Sequence, residues 1–171
     1  MNLFRTIGRG AVAGAAATAP MSAVMLAANR FGAMNRQPPK RIVEDALDAA
    51  GMPHSEPVEK ALAVVAHFGF GAVAGGLYTA VTPQRFRGVA SGVGFGMLVW
   101  LVSYAGWIPA LRILPPPPED RPGRQGTMLV AHAVYGAALG RLARGRTHAT
   151  HDEEEVRGTD VSSTPREIPI A

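Results

Sequence analysis

Charged residues divide the chain into long runs that carry no charge. Between Arg9 and Arg30 lie 20 uncharged residues, between Lys60 and Arg85 lie 24, between Arg87 and Arg112 lie 24, and between Arg124 and Arg141 lie 16. A helix needs about 20 apolar residues, at 1.5 Å each, to cross the ~30 Å of hydrocarbon in a bilayer. The first three runs meet that length. The fourth reaches it if Arg124 and Arg141 extend outward to the lipid headgroups, and otherwise reads as a buried or re-entrant helix. The pattern therefore predicts an all-α membrane protein, a bundle of four transmembrane helices over about 8–29, 60–82, 88–111 and 125–141.

The start of the chain has a second reading. A basic head, an apolar centre and the triplet Ala17-Thr18-Ala19 are also what a cleaved export signal shows. Pro20 would then be the first mature residue, which processing disfavours, and the apolar run continues to Asn29. A retained first span is the expectation.

Between the first two spans, "KRIVEDALDAAG" places Ile42, Val43, Ala46, Leu47 and Ala50 on one helical face, with Glu44, Asp45 and Asp48 largely on the other. This predicts a short amphipathic helix over about 40–50, lying at the interface or capping the bundle, ended by Gly51 and Pro53. Ser55 stands where it can cap the next helix, with Pro57 in the first turn. The stretch "ILPPPPEDRPGRQG" predicts a stiff connector, because each proline fixes φ and lacks a donor. Residues 1–146 would form the membrane domain. Residues 147–171 are polar and read as a disordered tail, in which His148 and His151 lack the rigidity that orients metal ligands.

Composition narrows the chemistry. The 171 residues allow one domain, and 47% are hydrophobic with mean hydropathy +0.10, an average that hides the segregation described above. There is no cysteine, which removes disulfides, thiolate metal sites and cysteine nucleophiles. A net charge of +4 and a pI near 10.1 could indicate nucleic acid, but the arginines flank apolar runs and form no basic face, so a lipid bilayer is the expected partner.

Two of the runs share a pattern. Residues 65–75 and 130–140 align as V-A-H-x-x-[F/Y]-G-A-x-x-G, which pairs His67 with His132, Gly71 with Gly136 and Gly75 with Gly140. A fainter echo relates Gly10 and Gly14 to Gly88, Gly92 and Gly96. Glycines four apart line one helix face and let another backbone approach closely. The expectation is two helical hairpins of one design, with these nine glycines at helix–helix contacts. Such faces also permit a homo-oligomer or a complex with another membrane protein.

Counting inward from the charged ends on one side, His67, His132, Ser22, Ser103 and Tyr104 fall near one depth, which predicts an intramembrane polar layer. Polar groups are costly in lipid unless paired inside the bundle, so inward-facing, hydrogen-bonded histidines are expected. Two imidazoles at one level also fit a proton-linked channel or transporter subunit, or bis-histidine ligation of haem. No Asp or Glu lies inside a span, so no catalytic metal site and no catalytic residue is expected, and neither serine has the flanking glycine elbow of a hydrolase.

The segments "AGAAATAPMSAVML", "AHFGFGAVAGGLY", "SYAGWIPALRILPPPP" and "AHAVYGAALG" resemble small bacterial inner-membrane proteins of unknown function, with the YagU-like group nearest. The likeness runs over roughly residues 8–142 and rests on glycine, histidine and proline landmarks; the short last span and the acidic tail depart from it. It implies a multi-span inner-membrane protein, structural or stress-related, with no assigned enzymatic activity and no resident cofactor. Basic residues immediately beside the spans favour both termini in the cytoplasm.

Overall fold

The computed structural model describes residues 2–32, 38–52, 55–111, 119–120 and 122–144. The polyproline stretch, both tail histidines and the proposed disordered tail lie outside the described residues, as do the side chains of residues 38–41. Five helices follow in order: α1 (Leu3–Arg30), α2 (Pro38–Ala49), α3 (Glu56–Val81), α4 (Val89–Ala110) and α5 (Pro122–Ala143). No strand occurs among the described residues.

α1, α3 and α4 are each long and apolar enough to cross a bilayer, which marks a membrane protein. Their outward faces agree: Val12, Val65, Val73, Leu77, Leu98 and Leu101 are all more than half exposed. Aqueous solvent would disfavour so much apolar surface, whereas lipid tails accept it.

α1 starts at Leu3, earlier than the charge pattern places it, and carries Arg5 and Arg9 in its first turns. An arginine marks where a helix meets headgroups and does not end it. Asn2 caps this end through its side-chain oxygen, which accepts from Phe4 N–H at 3.3 Å. Gly51, at φ 63°, closes α2, with Met52 N–H donating to Leu47 C=O. Ser55 stands at the N-cap of α3, but its side chain makes no capping hydrogen bond. Its carbonyl accepts from Glu59 N–H instead.

α4 widens at Ser103–Trp107, where one turn is π-helical and Ile108 N–H reaches back to Ser103 C=O. Pro109 explains the position. Its ring would press on the carbonyl four residues earlier and it donates no hydrogen bond, and a wider turn relieves both defects.

α1 packs on α3 and on α5, and α4 packs on α5. α3 and α4 touch sparingly, through Tyr78, whose hydroxyl lies 2.8 Å from Ser91 Oγ and whose ring lies 5.3 Å from that of Phe95. α1 and α5 are thus the inner helices, and α3 and α4 the outer ones. On α5, Met128, Ala131, Tyr135 and Leu139 are buried against the rest of the bundle.

Glycine sets the spacing at both tight contacts. A methyl group on Gly14 would overlap Gly71 C=O, and one on Gly75 would overlap Gly10 C=O. On the other pair, a methyl on Gly92 would overlap Gly136 C=O and one on Gly140 would overlap Gly88 C=O. A methyl on Gly96 would meet the carbonyl of His132. Close backbone contact is the main attraction available between helices in lipid, since tails are as apolar as leucine.

Candidate functional site

A cavity of about 210 Å³ lies in the half of the bundle nearest the α2 side. α1 contributes Thr18, Met21 and Met25 to its wall, and α2 contributes Ile42. From α3 come Ala66, His67, Phe70 and Gly71. α4 supplies Val99, Ser103, Trp107 and Ile108, and α5 supplies Met128, His132 and Tyr135. Among the described residues, no Lys, Arg, Asp or Glu lines it. The cavity is bordered by both α3 and α4, the two helices that scarcely touch.

The polar groups in the wall are mostly satisfied within the protein. Thr18 Oγ1 donates to Gly14 C=O at 2.9 Å, and the Tyr135 hydroxyl donates to Gly71 C=O at 2.8 Å. His132 Nδ1 lies 2.8 Å from Met128 C=O. A carbonyl only accepts, so Nδ1 carries the hydrogen and Nε2 of the neutral ring carries the lone pair. Nε2 makes no hydrogen bond among the described residues. Among the described residues, the sealed polar side-chain atoms without a partner are His67 Nε2, Trp100 Nε1 and Arg124 Nε. His132 is itself buried and lines the cavity.

Of the residues expected in a polar layer, His67, His132 and Ser103 meet around this cavity. Ser22 does not line it and is half-buried. It sits at the edge of the inward stripe Gly14, Ala17, Thr18, Met21 and Met25, and Thr18, one turn earlier, takes the inner place. Tyr104 is fully buried but points elsewhere, donating its hydroxyl hydrogen to the Asp120 carboxylate.

Asp120 is a site residue that span-by-span reading passes over. It lies just before α5, its side chain is buried, and it pairs with Arg124 at 3.0 Å. The clue in the sequence is local: an acid four residues ahead of an arginine, across a proline at a helix start. This acid–arginine–tyrosine cluster fastens the end of α4 to the start of α5.

Arg87 also does more than mark a boundary. Its guanidinium donates to Thr82 C=O at 2.9 Å and to Thr79 C=O at 2.6 Å, satisfying carbonyls at the end of α3. Among the described residues no group of three or more His, Cys, Asp or Glu is placed to hold a metal ion.

The model of a family of unknown function, DUF6789, matches residues 4–153. The chain belongs to this family. The match carries no YagU designation and assigns no activity. No curated protein and no solved structure matches the chain.

Proposed function

We propose that this chain is a four-span bacterial inner-membrane protein whose working part is the cavity between two like hairpins, and that it binds a small lipophilic molecule rather than transforming one. α5 is the fourth span in this reading, with Arg124 and Arg141 near its two ends. The observation that carries the reading is the cavity itself, bordered by all four long helices and, among the described residues, lined by no charged side chain. Ligand pockets are mostly apolar with a few placed polar groups, and this one fits that description.

The hairpin design supports a shared origin of the wall. Gly10, Gly14, Gly71 and Gly75 of the α1–α3 pair take the same relative places as Gly88, Gly92, Gly136 and Gly140 of the α4–α5 pair. A pseudo-two-fold axis along the membrane normal relates them in this proposal, as in transporters built from parallel repeats. The symmetry is broken on one side. α1 packs closely on α5, whereas the equivalent α4–α3 contact is loose.

The readout is a thermal melt of the full chain in lipid nanodiscs with p-xylene as probe. A ligand that binds only the folded state raises stability by RT ln(1 + [L]/Kd). A saturable rise that Val99→Phe removes supports the reading; no rise, or the same rise in both proteins, contradicts it.

A stress-related role, as the YagU-like resemblance implies, remains part of the proposal at the level of biology. The proton-linked reading draws on His67 and His132 meeting at one cavity, where among the described residues no carboxylate stands to extend a proton path. Haem is the weaker third reading. A cavity of about 150 Å³ takes one benzene ring, so 210 Å³ holds about one ring of a four-ring macrocycle. A visible spectrum of purified protein decides that point. Both termini are proposed to be cytoplasmic, and a periplasm-active reporter fused after Arg146 that gave activity would reverse this orientation.

A further inference from the structure

We propose that the cavity takes a hydroxylated aromatic lipid of the benzoquinol class, whose ring hydroxyl donates to His132 Nε2. This rests on the cavity being a ligand site, and it adds the chemistry of the ligand.

Three features of the wall select that chemistry. The first is charge. Among the described residues no ionised side chain lines the space, so a carboxylate or ammonium would enter without a counter-charge there, which burial penalises. The ligand is neutral. The second is shape and softness. Room for 210 Å³ exceeds the ~150 Å³ that holds benzene, which leaves space for small ring substituents. Phe70, Trp107 and Tyr135 supply aromatic surface, and Met21, Met25 and Met128 supply polarisable sulfur, which makes favourable contact with rings.

The third feature is hydrogen-bond polarity. The bond from His132 Nδ1–H to Met128 C=O fixes the tautomer and presents Nε2 as an acceptor. An acceptor in an apolar wall selects a ligand with a donor hydrogen. A quinol hydroxyl supplies one, and the quinone of the same size does not. Its carbonyl would face a lone pair with a lone pair. In this proposal such a molecule arrives from the bilayer between α3 and α4, the two helices that touch least, with any alkyl tail left in lipid.

The test uses the full chain in nanodiscs under nitrogen, titrated with a decyl-substituted benzoquinol and separately with the matching quinone, with calorimetry as the readout. The two probes differ in hydroxyl hydrogens and hardly in size. The proposal expects saturable quinol binding about tenfold tighter than quinone binding, the difference one buried hydrogen bond supplies. His132→Leu should erase that preference, with the quinone affinity within about threefold of wild type. The wild-type comparison alone stays decisive if the variant does not fold. Equal affinities for the two probes, or a preference that survives in His132→Leu, overturn the quinol assignment and leave the cavity reading standing. Failure of both probes to bind overturns the assignment together with the ligand-binding reading beneath it.

Discussion

Tyr135 on α5 donates its hydroxyl hydrogen to the backbone carbonyl of Gly71 on α3, 2.8 Å away and 64 residues earlier in the chain. The two residues belong to the two runs that share one sequence pattern. Tyr135 aligns with Phe70, which has no hydroxyl and is 45% exposed. The hydrogen bond therefore exists in one direction only. It ties the inner helix α5 across to α3, while the α3 ring that would return the contact borders the cavity.

Tyr135→Phe removes that tie and leaves the Gly71 carbonyl without this partner. The expected loss is about 0.6–1 kcal/mol, the range for a hydrogen bond between membrane helices. Reversible unfolding in mixed micelles measures it. No change would mean that the carbonyl finds another donor and that the tie holds nothing together.

The glycine contacts give the sharpest packing test because the chain contains its own controls. Gly14→Leu and Gly92→Leu place a side chain where the opposing backbone already stands, so each should destabilise by about 3 kcal/mol or more. Gly69→Leu and Gly94→Leu, at glycines with open space around them, should fall within about 0.5 kcal/mol of wild type. If Gly69→Leu were as damaging as Gly14→Leu, the register of α1 against α3 would be wrong.

The Asp120 cluster predicts an ordered series. Asp120→Ala removes a buried carboxylate and strips the partly buried Arg124 of its counter-charge, and should cost about 3 kcal/mol. Tyr104→Phe loses one hydrogen bond and should cost about 1–2 kcal/mol, because the acceptor is charged. A double-mutant cycle between the two positions should show coupling, since both act on one carboxylate. Additive effects would separate Tyr104 from the cluster.

Helix existence was legible from the spacing of charged residues, because lipid excludes charge over a fixed thickness. Helix ends were less so: Arg5 and Arg9 lie inside α1, since their long side chains can reach headgroups from within a helix. The glycine spacing of Gly71 with Gly75, and of Gly136 with Gly140, could be read directly, because four-residue spacing defines a helix face. Depth along a span could also be counted, which grouped His67, His132 and Ser103. Direction around the helix could not. Ser22 lies at the right level and on the wrong edge, and Thr18 lines the cavity instead. The π-turn rotates Ser103 and Tyr104 in a way that regular periodicity does not describe. Asp120 was hidden because it lies outside every apolar run, and only the fold carries it back against Tyr104.

The account stands on the cavity between the hairpins being open to small apolar molecules, and Trp107 reports on it from the wall. The chain has two tryptophans, so Trp100→Phe leaves Trp107 as the sole emitter. The measurement is the quenching of that emission by iodobenzene in lipid nanodiscs, with and without Val99→Phe. The account predicts quenching that saturates with iodobenzene concentration and that Val99→Phe reduces to the linear background of partitioning into lipid. Linear quenching in both proteins would contradict it, because Trp107 would then be meeting the probe in the bilayer and not in a site.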